Sequence, residues 1–135
     1  MHDFNTEFDE ETPGPERIAA RVRALLAGGE TTILLAGEGP DGLAVLRFRL
    51  AITTPGLECY LAELYVAPEQ RGRGLGRALM NAAIDEARGR GADYMDLGTS
   101  EDDVAARALY ESLGFVNREG GRPDGPIAYY YERAL

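Results

Sequence analysis

The chain has 135 residues, a length that suits one domain, and 44% of them are hydrophobic, enough to fill one core. Acidic residues outnumber basic ones by 23 to 14, and the net charge of −9 disfavours nucleic acid and suits cationic small molecules or basic peptides. All 14 basic residues are arginine, which removes lysine chemistry; the single Cys59 allows no intramolecular disulfide, and no metal site or membrane contact is expected.

In chain order, residues 2 to 14 are polar and acidic and end in Thr12-Pro13-Gly14-Pro15, which stops a short helix or arm. From Glu16 to Ala27, Ile18, Val22, Leu25 and Leu26 recur at helical spacing, and Gly28-Gly29 supply a left-handed stop. Thr31 to Ala36 and Leu43 to Ile52 read as a hairpin, and Glu58 to Val66 as a third strand. The spacing predicts a helix over 75–90, a strand over 92–97 and a helix over 102–113. Strands are expected at 114–117 and 127–132, after the loop from Arg118 to Pro126.

A strand, a helix and a second strand at 58–97 form a βαβ unit, so its strands should be parallel with a right-handed crossover. The earlier strands should be antiparallel. The expected fold is therefore α/β, a mixed sheet with helices on both faces and a ligand crevice at the carboxyl ends of the parallel strands.

Arg71, Gly72, Arg73, Gly74, Leu75 and Gly76 stand where that crevice opens. A helix start presents backbone N–H groups without intrahelical partners and the positive end of the helix dipole. Glycines let an anion approach the backbone and permit positive φ. A Walker loop is excluded because its lysine is missing. The spacing is G-x-G-x-G, not the G-x-G-x-x-G of a dinucleotide site, although Asp96 lies about where a ribose-binding acid would sit. A turn that merely connects strand to helix remains the plain alternative.

The run from Glu63 through Gln70-Arg71-Gly72-Arg73-Gly74-Leu75-Gly76 to Met80 resembles the GNAT superfamily of N-acetyltransferases. Arg71, Gly74 and Gly76 fill the fixed places of that family's Q/R-x-x-G-x-G/A pattern, and Ala108 to Phe115 resembles its second signature. The resemblance is close over roughly residues 58 to 118. Family members begin with a strand before the first helix, whereas His2-Asp3-Phe4-Asn5 resembles the first helix already. The first family strand is therefore expected to be missing or cut away, leaving the edge at 31–36 for solvent or for a second copy in a homodimer.

The resemblance implies acetyl-CoA as co-substrate and a primary amine of a small molecule or peptide as acceptor, attacked directly in a ternary complex. It implies that the pantetheine arm pairs with the backbone at Leu64 and Val66, and that Arg71 to Gly76 cradle the diphosphate. A strand N–H can stabilise the charge developing on the thioester oxygen. An alkyl ammonium titrates near 10.4, so a base must take its proton, and Glu63 is the candidate, with Glu58 second. A solvated carboxylate, or one paired with an arginine, is the alternative for Glu63. Tyr110 fills the family's tyrosine position, where a phenol donates to the departing sulfur. Asp103 stands where relatives carry asparagine; an aspartate only accepts, and helix capping with Ser100 explains it equally well. Cys59 reads as core filler and the acids from Asp3 to Glu11 as a solvated face. A cytoplasmic location is expected. The rival function is an inactive acyl-CoA sensor or interaction module on the same fold.

Overall fold

In a computed structural model, which describes Thr6 and residues 12–135, the chain divides into two compact units, residues 1–97 and 98–135. The segment His2 to Asn5 and the acids Asp3, Glu7, Asp9, Glu10 and Glu11 lie outside the described residues.

The first unit holds helix α1 (Pro15–Ala27), strands β1 (Thr31–Ala36), β2 (Gly42–Leu50) and β3 (Leu57–Val66), a single 3-10 turn (Pro68–Gln70), helix α2 (Leu75–Gly89) and strand β4 (Ala92–Leu97). Pro15 starts α1 where its missing N–H costs nothing, and the left-handed stop falls on Gly29, with φ 75, while Gly28 stays right-handed. The sheet order is β1-β2-β3-β4, with β1–β2 and β2–β3 antiparallel and β3–β4 parallel. This is the expected mixed sheet, and β1 is at its edge. No described helix is long and apolar enough to cross a membrane.

The core lies between the sheet and α2. Ala44, Leu46 and Phe48 alternate along β2, Cys59 and Leu61 along β3, and Leu79, Met80, Ala83 and Ala87 follow at helical spacing on α2; all are buried. Burying a side chain such as Leu46 or Met80 fully contributes about 1.5–3 kcal/mol. Arg90, just past α2, lies over the Phe48 ring at 4.2 Å and donates to Thr32 Oγ1 at 3.0 Å and to the Gly29 carbonyl at 2.6 Å. It ties the end of α2 to β1 and β2.

One irregularity in the ladder matters for the site. Leu46 pairs with Leu61, but the next residue back, Val45, pairs with Glu63, so Ala62 is an extra residue in β3. Were the strand regular through Ala62, Glu63, two residues after Leu61, would lie on the same face, against α2. The bulge turns Glu63 to the opposite face, beside Val45. A carboxylate in an apolar strand is thereby kept out of the core.

The second unit holds helix α3 (Val104–Ser112) and a 3-10 turn (Glu119–Gly121). The strands expected at 114–117 and 127–132 do not form. Arg118 and Ile127 make a single antiparallel bridge, flanked by bonds from Ala128 N–H to Asn117 O and from Glu119 N–H to Pro126 O. The helix end explains why the ladder is so short. Gly114 has φ 88, and the N–H of Phe115 is spent on the Tyr110 carbonyl, a C-cap that leaves only Val116 and Asn117 before the bridge.

Candidate active site

Backbone polarity along β3 follows from its neighbours. Leu57 N–H donates to Gly91 O, on the β4 side, and strand alternation aims Cys59 and Leu61 the same way. On β2, Phe48 N–H donates to Glu30 O, away from β3, so the odd-numbered β2 residues face β3; Ala67 N–H closes the series on Asp41 O at 2.8 Å. After the bulge, Glu63 and Tyr65 therefore bond to β2, and Leu64 and Val66 direct their N–H and C=O groups to the other side. Pairing with β4 stops at Leu61 with Leu97. The two parallel strands part there, and the edge that β4 leaves is the edge of Leu64 and Val66.

At the end of that edge the chain makes the 3-10 turn, with Gln70 N–H bonded to Ala67 O at 2.8 Å and Arg71 N–H to Pro68 O at 3.3 Å. Gly72 and Gly74 follow with φ 73 and 86, and a Cβ added to either would meet nothing within 4 Å. Their need is conformational, and the space before them is open. The first helical bond runs from Ala78 N–H to Gly74 O, and no side chain caps the helix start. Gly76 lies inside the first turn of α2 and not at a positive φ; what it contributes is a helix start without a Cβ. Arg73 donates to Gln70 Oε1 at 3.1 Å. Arg71 folds back, with Nε 2.9 Å from the Val66 carbonyl and its guanidinium carbon 5.8 Å from the centre of the Tyr65 ring.

Glu63, Leu64, Val66 and Arg71 to Gly76 are thus brought together in the first unit. Glu63 is half-buried. Glu58, the second candidate base, is ion-paired with Arg49 directly across β2–β3 and holds that guanidinium above its ordinary pKa. Burial, followed by the Asp96 charge, pushes the Cys59 thiol up to about 11, which leaves it protonated and unreactive at neutral pH.

In the second unit Tyr110 is buried on α3, edge-on to Phe115 with ring centres 6.2 Å apart. Burial, and then the charge of Asp103, pushes its phenol up to about 12. A phenol so held is a hydrogen-bond donor. Asp103 caps α3, accepting from Ala106 N–H at 3.0 Å, while Ser100 bonds Asp102 and draws that carboxyl below its usual range. Glu111, Phe115, Val116, Asn117, Arg118 and Pro123 line an open groove of about 260 Å³ within this unit.

Asp96, which sequence position alone relates to a dinucleotide site, has a different setting in the structure. On β4 it is level with Tyr60, one of its carboxylate oxygens is buried without a hydrogen-bond partner among the described residues, and burial raises its pKa, with Arg49 lowering it and Glu58 raising it. The bulge at Ala62 had a readable signal, because the apolar alternation Cys59, Leu61 resumes at Leu64, Val66, one residue out of step. The return of Arg71 to Val66 had none.

The family model for the Acetyltransferase (GNAT) family matches residues 2–115. A mycothiol acetyltransferase from Thermobispora bispora is 48% identical over 64 residues, 45% of this chain and 22% of that protein. The N-alpha-acetyltransferase RimI of Mycobacterium tuberculosis is 39% identical over 84 residues, 59% of this chain and 51% of that one. The chain spans only 22% and 51% of the length of these two curated relatives. A crystal structure of a protein from Arthrobacter sp. FB24, assigned by inference as an acetyltransferase, superimposes with a TM-score of 0.87 at 45% identity, covering 98% of this chain and 85% of its own. The split strands, the uncapped glycine-led helix and a match over residues 2–115 agree, and the chain belongs to the acetyltransferase (GNAT) family.

Proposed function

We propose that the protein transfers an acetyl group from acetyl-CoA to a primary amine of a small molecule or peptide by direct attack, with no acetyl-enzyme. The observation that carries this reading is one continuous surface, in which the open edge of Leu64 and Val66 runs into the uncapped start of α2. An extended amide-bearing arm suits the first part, and a diphosphate the second. The residues fit the co-substrate, since Gly72 and Gly74 leave open space where a side chain would stand. Acetyl-CoA supplies the activated acetyl thioester.

The chain's own groups divide the remaining work. Glu63, turned out of the core by the Ala62 bulge, accepts the proton of the attacking nitrogen as the N–C bond forms and the C–S bond breaks. A backbone N–H of the open edge donates to the thioester oxygen. Within the second unit, Tyr110 is protonated throughout the neutral range and Asp103 caps the helix that carries it; it is the family resemblance that gives this phenol the role of hydrogen-bond donor to the departing sulfur. Cys59 is no rival nucleophile because its thiol is buried and not ionised. An amine acceptor accords with the N-alpha-acetyltransferase named among the relatives, and the net charge of −9 favours a cationic one.

The test is thiol release from acetyl-CoA with a panel of aminoglycosides, polyamines, amino acids and peptide N-termini, beside calorimetry with coenzyme A. Turnover on at least one amine is expected. Coenzyme binding without turnover would replace this reading with an acyl-CoA sensor, and absence of both would overturn the donor assignment.

A further inference from the structure

Resting on that reading of the donor site, we propose that Arg71 is a clasp on the open edge of β3, which gives up the Val66 carbonyl to the donor's arm and moves to its diphosphate. Val66 is the last residue of β3, and its carbonyl faces the side that β4 has left. Arg71 Nε bonds that carbonyl at 2.9 Å, and the guanidinium lies near the face of Tyr65. An arm adding to the edge as a strand needs the same carbonyl for one of its amide N–H groups. Arg71, bonded to that carbonyl on the open edge, stands where the arm would lie, and the two compete for one place.

The chemistry favours an exchange. Arg71 is exposed, so its bond to a neutral carbonyl competes with water and is easily given up. Its backbone directly precedes Gly72, whose φ of 73 begins the turn toward the helix start. A guanidinium leaving Val66 can turn about its own side chain toward a diphosphate there, and a charge-assisted bond to phosphate oxygen is stronger than the one to the carbonyl. Arg73 differs, because its guanidinium bonds Gln70 Oε1 within the loop. One residue thus links the two halves of the donor: taking the carbonyl releases the arginine, and the diphosphate holds it away.

The consequence is an opposition of signs. Pantetheine, which has the arm and no diphosphate, meets the clasp as a competitor, whereas coenzyme A gains the arginine as a ligand. Affinities of pantetheine and coenzyme A are measured by calorimetry, with pantetheine also as a competitor of acetyl-CoA in turnover, for the natural protein and for Arg71→Ala, Arg71→Gln and Arg73→Ala. Circular dichroism confirms that each variant folds. Removing the Arg71 guanidinium should tighten pantetheine by about threefold, the effect of one exposed hydrogen bond to a neutral acceptor, and weaken coenzyme A by roughly tenfold or more. Arg73→Ala should weaken coenzyme A and leave pantetheine unchanged. In the natural protein, saturating pantetheine should also shift the Arg71 Nε–H resonance. If the Arg71 variants weaken both ligands, or leave pantetheine as it was, the clasp is wrong although the donor site stands. If the natural protein binds neither ligand, the donor site itself falls, and the clasp with it.

Discussion

At Gly74 a backbone requirement and an open approach coincide, since φ is 86 and an added Cβ would meet nothing within 4 Å. Gly74→Val should therefore fold with a lowered melting temperature, because holding valine there costs on the order of 1–3 kcal/mol. It should lose coenzyme binding by calorimetry as its side chain covers the helix start. At Glu63 the expectation is kinetic: Glu63→Gln should lower kcat by about a hundredfold or more with little change in KM for acetyl-CoA. Tyr110→Phe should lower kcat by a factor that stays constant across an assay range of about pH 6–9, because a phenol held near 12 remains protonated throughout. Asp96 gives a different pH dependence. Its folded pKa is raised, so the folded chain holds a proton that the unfolded chain has lost, and stability falls as pH rises from the ordinary aspartate value through the folded one. Asp96→Asn should remove that loss, and denaturant midpoints should show the variant gaining on the natural protein from about pH 3.9 upward.

Elements decide what those residues can do. The extra residue in β3 sends Glu63 to one face and Leu64 and Val66 to an edge without β4, so one bulge sets the position of both the proposed base and the proposed donor strand. Deleting Ala62 would restore strict alternation with Glu63 directly after Leu61 and still opposite Val45, so the carboxylate would stay on the face it now occupies while the local twist of the bulge is lost. The deletion should yield folded protein by thermal melting and solubility; aggregated or markedly destabilised protein would refute the assigned register. Helix α2 is anchored to β1 and β2 through Arg90, and its removal deletes a ring contact and two hydrogen bonds at once. Arg90→Ala should cost about 1–2 kcal/mol in chemical denaturation without altering coenzyme affinity.

On the scale of the whole molecule, the excess of acid over base sets a field that should draw cationic acceptors, and KM for such an amine should rise with added salt while kcat is steady. The sequence by itself determined a great deal: the order of strands and helices from 15 to 112, the parallel pair, the glycine-led helix start and the identity of the family's two signatures. These follow from local propensity, apolar spacing and chain connectivity, which neighbouring residues carry between them. Even the bulge was written in the step from Leu61 to Leu64. Only the tertiary structure decided the rest. Residues 114–117 and 127–132 have strand-like composition, yet a ladder needs a partner of sufficient length, and the cap at Gly114 and Phe115 uses up that length. The buried oxygen of Asp96 depends on the register of three strands, and the bond from Arg71 to Val66 on a side chain folding back over five residues. Both are meetings in space between groups whose spacing along the chain carries no periodic signal, which is why pattern and composition could not announce them.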